Sequence, residues 1–218
     1  MSNNIDKTLL EVRKAYRLIY DFQSKILDLI SFIGGSYKQN YEGGWCKFSN
    51  PSPKDGKGDL NNWARGWTWL NMYYYEFHFT RTVLDKLEIE ANNHAKGYLH
   101  FSVFLVADTG YFEEKQNNTQ LNENDIYNFK NVESSKTKLI FVVGKNKWEA
   151  EGLFKYNWHN LEFVLGEEDK EGEGNEIMIF KSYDLSLFEN QESAIEQLKD
   201  FEHFCNSNNI ELKYQDQI

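Results

Sequence analysis

Three residues in the chain have side chains and spacing that could do acid–base chemistry: Glu76, His78 and His100. The stretch 63–80 reads WARGWTWLNMYYYEFHFT, and from Trp67 onward large rings recur at every second position except Asn71. That period predicts a β-strand over about 70–80, with Trp67, Trp69, Tyr73, Tyr75, Phe77 and Phe79 on one face and Tyr74, Glu76 and His78 on the other. A second strand over 98–107 carries Leu99, Phe101, Val103 and Leu105 on one face and His100 and Ser102 on the other. A hairpin centred near Ile89 would set His78 opposite His100 and Glu76 opposite Ser102, roughly 4.5–5.5 Å apart. A carboxylate beside two imidazoles could move protons near neutrality or hold a metal, as a hydrolase or nuclease would require. The same positions also suit the polar face of a sheet whose other face is core. A register slip decides between them.

Other routes to chemistry find less support. The five histidines show neither HxxxH nor HExxH spacing, and there is no CxxC, so no zinc site or other metal or cofactor is expected. Aligning Asp169, Glu171, Glu173 and Gly174 with a calcium loop puts Phe180 where a bidentate glutamate belongs. The segment DGKGD lacks the GxxxxGK[ST] arrangement. Glu113, Glu114 and Lys115 only superficially match a nuclease's carboxylates and lysine, and GxSxG and dinucleotide fingerprints are absent. Cys46 and Cys205 make no disulfide framework and read as free thiols of a reducing cytoplasm.

Two further groups read as binding surfaces. Trp45, Trp63, Trp67 and Trp69 fall within 25 residues, with Arg65 and Asp59 among them. Such rings pack a core, anchor a protein interface, or stack on a sugar or nucleobase. Glu167, Glu168, Asp169, Glu171 and Glu173 lie in GEEDKEGEGN, which reads as an acidic hairpin tip.

The elements that must position these groups follow from the rest of the chain. Ile5, Leu9, Val12, Tyr16, Ile19, Gln23, Ile26, Ile30 and Ile33 keep a strict 4-3 spacing, which predicts a long N-terminal helix over 1–33 stopped by Gly34 and Gly35. It either lies across a sheet or pairs with a second copy as a homodimer, Gln23 fixing register. A Gly- and Trp-rich connection follows over 34–69, with a short strand near 45–48. An antiparallel sheet of about five to seven strands is expected over 70–181. Its later strands are 139–143, 148–158, 161–165 and 176–181, with polar loop over 113–138. Asn190 should cap a C-terminal helix over 190–207, followed by a short edge strand over 210–214. Helices at the two ends of a strand run imply one α+β domain over 1–218.

At 218 residues and 40% hydrophobic, the chain can build a sizeable core. Its net charge of −10 is uneven: residues 1–110 hold 13 Lys/Arg against 12 Asp/Glu, and residues 111–218 hold 11 against 22. Neither half has the basic footprint of direct nucleic-acid binding. No apolar run is long enough for a membrane span, and the polar start MSNNIDKTLLEVRKAYRL does not read as an export signal. The leading expectation is a non-catalytic cytoplasmic protein-interaction or inhibitor module that steers a basic partner with its acidic half. By analogy of class, small acidic proteins of bacterial and phage conflict systems, immunity proteins and inhibitors among them, work this way. The alternatives are a small-molecule pocket at the tryptophans and an enzyme at Glu76, His78 and His100.

Overall fold

The computed structural model describes residues 2–49, 69–79, 82–83, 98–122, 125–147, 157 and 159–216. Its centre is an antiparallel sheet in the order β1-β2-β4-β5-β7-β6. The strands are β1 (Tyr41–Ser49), β2 (Trp69–Phe79), β3 (Thr82–Val83), β4 (Tyr98–Val106), β5 (Lys138–Lys145), β6 (Glu168–Glu173) and β7 (Glu176–Asp184). The two-residue β3 pairs with β4 beyond the end of β2. Helix α1 (Ser2–Ser36) precedes the sheet and α4 (Gln191–Ser207) follows it. The fold class is α+β, as composition and period implied.

Both sheet faces are covered. On the odd face, Phe77, Phe79, Phe101, Val103, Phe141 and Ile179 pack beneath α4 and the last turns of α1, where Ile26, Ile30 and Ile33 are buried. On the even face, Tyr74, Phe104, Ile140, Val142, Met178 and Phe180 form a second core with α2 (Gly110–Asn117) and α3 (Leu161–Leu165). The expectation of an ordinary polar even face is therefore corrected. The sequence implies loop where α2 forms and a strand at Leu161–Leu165, and the structure has a helix at both. Asn160 settles the second case, because its side chain accepts from the backbone N–H groups of Glu162 and Phe163 and starts a helix. Lys138 holds the other end of α3. It is buried on the even face and donates to the carbonyls of Leu165 (3.2 Å) and Gly166 (2.9 Å), and burial lowers its pKa.

Helix α1 runs through both glycines expected to stop it. The stop lies three residues past Gly35, at Lys38, which has φ 53. Gln39 N–H donates to Gly34 C=O (2.8 Å) and Lys38 N–H to Gly35 C=O (3.0 Å), the bond pair of a Schellman end. Gly34 serves contact instead, since a Cβ there would run into the Phe79 ring. At the other end of the chain, α4 starts as expected. The Asn190 side chain accepts from Ser193 N–H, and the Ser193 hydroxyl completes a capping box. The expected strand over 210–214 is irregular chain that buries Ile210 and Leu212 in the odd-face core. Among the described residues, no helix is long and apolar enough to cross a membrane.

Candidate functional site

The β2–β4 register is slipped by two residues from the expected one. His78 pairs with Ser102 and Glu76 with Phe104. A slip of two keeps every side chain on its face, so Glu76, His78, His100 and Ser102 still converge, but in a different order. Ser102 lies between the two rings: its Oγ is 2.7 Å from His78 Nδ1 and 3.1 Å from His100 Nε2. His78 Nε2 in turn lies 3.2 Å from Glu76 Oε2. With both imidazoles neutral and the carboxyl ionised, one assignment of protons satisfies all three contacts. His100 Nε2–H donates to Ser102, Ser102 O–H donates to His78 Nδ1, and His78 Nε2–H donates to Glu76. The predicted facing pair of histidines is thus replaced by a serine-bridged pair with ring centroids 5.7 Å apart.

Carboxylate, imidazole and hydroxyl in this sequence form the connectivity of an acyl-transfer triad. Access argues against that use, because Ser102 is 0% exposed and a second imidazole shares its oxygen. A nucleophile must reach its substrate. The open end of the chain is Glu76 and His78, both partly exposed. Tyr74 beside them on β2 is buried, and burial together with the Glu76 charge raises its pKa well above the ordinary value. Across the strand gap, β1 sets Trp45 opposite Glu76 and Gly43 opposite His78. Sequence reasoning named every member of this group but missed the bridging role of Ser102. The signal was the His100-x-Ser102 spacing on one face of β4.

The other expected site residues are scattered. Trp45 is half exposed at the β1 rim, and Trp69 opens β2 opposite Ser49. Trp63, Arg65 and Trp67 lie outside the described residues, as does the expected strand at 148–158 apart from Asn157, which is a bend. Glu167 precedes β6, while Glu168, Asp169, Glu171 and Glu173 lie within it, so the acidic tip is corrected to an acidic edge strand. The hairpin tip is Gly174-Asn175, with Gly174 at φ 66. Glu171 pairs with Lys147 at 2.9 Å. A charged edge keeps another sheet from pairing with it, which accounts for part of the acidic excess without any partner. Among the described residues no three His, Cys, Asp or Glu side chains are grouped to hold a metal. Cys205 lies on the buried face of α4, where burial, and then Glu202, raise its thiol pKa above the ordinary value. That makes it a core residue rather than a nucleophile. The side chain of Cys46 lies outside the described residues.

A different surface stands out by its chemistry. Ile5, Leu9, Val12, Tyr16 and Ile19 continue along α1 the seam that buries Ile26, Ile30 and Ile33, yet all five are exposed, Tyr16 by 74%. Leu10, Leu18 and Tyr20 add to the apolar surface. Glu11 and Lys14, off the seam, pair with each other at 2.9 Å. At about 1.5 Å per residue, residues 5–20 present roughly 24 Å of apolar stripe beyond the sheet.

The chain belongs to the PM0109 family, whose model matches residues 2–212. Neither a curated protein nor a solved structure matches it.

Proposed function

We propose that this protein is an interaction module that docks through the projecting half of α1. The observation that carries the reading is the exposure of Ile5, Leu9, Val12, Tyr16 and Ile19 along one helical line. Soluble chains seldom leave so continuous an apolar surface open unless something binds it. A lone helix of this length is also marginal in water and takes most of its stability from packing. The docking element is therefore α1 and not the acidic segment that charge alone favoured. The sheet and α4 act as the mount that holds the helix outward. A helix laid along a partner can cover the partner's working surface, which is how the module would inhibit. A reducing cytoplasmic setting suits the free, buried Cys205.

The test is a photo-crosslinking side chain placed at Val12 in cells that make the protein. An adduct at Val12, with none when the same group replaces Lys14, supports docking through the seam. Equal yields at both positions, or none at either, would refute it.

One observation favours a second reading. Glu76 and His78 are partly exposed at the β1 rim, opposite Trp45 and Gly43, so an acid–base site could open there. Its test is hydrolysis of chromogenic esters and phosphodiesters by the native protein. Activity lost in His78→Gln with an unchanged melting temperature supports it, and activity indifferent to that change removes it.

A further inference from the structure

We infer that the occupant of the α1 seam is a second copy of the same helix, running antiparallel over residues 2–19. This rests on the docking role proposed for α1 and goes beyond it by naming the partner. Written as heptads, the 4-3 pattern places Leu9 and Tyr16 at a, and Ile5, Val12 and Ile19 at d. The flanking e positions are then Asp6, Arg13 and Tyr20, and the g positions are Thr8, Ala15 and Phe22.

In a parallel pair, g of one helix meets the following e of the other. Arg13 would face Thr8, and no flanking ion pair forms. In an antiparallel pair, e meets e. With Leu9 layered on Val12 of the second copy, and Ile5 on its Tyr16, Asp6 of each helix falls beside Arg13 of the other. Two reciprocal opposite-charge contacts result, as a two-fold interface requires. Both residues are exposed, and at seven residues apart they cannot pair within one helix.

The same register fits the rest of the molecule. It ends where Ile19 meets Ser2 of the other copy. The next residues, beginning with Phe22, pack against their own core and stay clear of the partner. Gln23, the polar position of the seam, falls one layer outside the overlap. The two globular bodies then sit at opposite ends of a helix pair about 27 Å long.

Sedimentation equilibrium of the full chain from about 1 to about 200 μM tests this, spanning the range expected of a short helix pair. A reversible monomer–dimer equilibrium is expected. Val12→Lys should shift it to monomer while leaving the urea midpoint of dilute protein unchanged, because Val12 lies outside the core. Asp6→Arg or Arg13→Asp alone should weaken the dimer about tenfold, and the double reversal should return it to within about threefold of the native value. A double variant no stronger than the weaker single one would overturn the antiparallel register. A chain that stays monomeric throughout would overturn self-pairing. A Val12 adduct to a different protein would then leave the docking role standing, whereas no adduct at all would end both.

Discussion

The two halves of α1 share one apolar repeat and have opposite surroundings. Ile26, Ile30 and Ile33 lie in the odd-face core, with Ile33 0% exposed; Ile5, Leu9, Val12, Tyr16 and Ile19 meet water. Spacing therefore specifies that a helix face will be covered, and leaves open what covers it. The anchored half has its covering in the same chain, under Phe79 and beside α4. The projecting half has no such covering among the described residues, and in the proposed helix pair Asp6 and Arg13 would set the choice of partner.

The sharpest way to break the contrast is truncation at matched positions. Ile33→Ala should cost about 2–5 kcal/mol at any protein concentration, as a buried isoleucine leaves a cavity. Ile5→Ala should stay within about 0.5 kcal/mol in dilute protein, as for ordinary surface positions. Urea unfolding of both at low concentration checks this, and similar losses would erase the distinction. Gly34→Ala probes the anchor from the other side. Its Cβ would enter the Phe79 ring, an overpacking that should cost about 1–3 kcal/mol.

A related contrast separates the two sheet faces, one apolar apart from Lys181 and its Asp200 partner, and one interrupted by the Glu76–His78–Ser102–His100 chain. Ser102→Ala removes one hydrogen bond from the buried His100 and one from the partly exposed His78, and should lower stability by about 1–3 kcal/mol. A neutral result would mean that the histidines find other partners.

The smallest effect concerns pH. Lys181 (2.7 Å) and Tyr183 (2.7 Å) hold the Asp200 carboxyl below its ordinary pKa, although burial opposes them. A depressed carboxylate contributes stability above the unfolded pKa of about 4, and that contribution is lost as pH falls through the folded value. Asp200→Asn should therefore flatten the acid limb of the stability profile by less than about 1 kcal/mol, since Asp200 is partly exposed. Melting curves of both proteins through that range measure it. An identical acid limb would show that the pair adds nothing.

Much of this architecture could be read from residue order. The alternation in WLNMYYYEFHF and YLHFSVFLV marked β2 and β4, the 4-3 repeat marked α1, and Asn190 marked the start of α4. What escaped has physical reasons. LEFVL is a short apolar run equally at home in a strand or a buried helix, and the capping side chain of Asn160 was the overlooked arbiter. EDKEGE has no strand propensity of its own and becomes β6 by pairing with β7. The excursion between β2 and β4 is too long for a tight turn to fix register, so residue order alone sets His78 facing His100, whereas Ser102 stands between them. With α2 and α3 unseen, the even face lacked a cover and looked solvated. The seam was legible along its whole length, but not the point, near Phe22, at which it leaves the core.

Hydrogen–deuterium exchange along α1 at two protein concentrations tests the central claim most directly. Amides of residues 26–36 should be protected equally at both concentrations. Those of residues 8–20 should exchange freely in dilute protein and gain protection as concentration rises. Protection of residues 8–20 that is already full at dilution, or absent at both concentrations, would contradict the account.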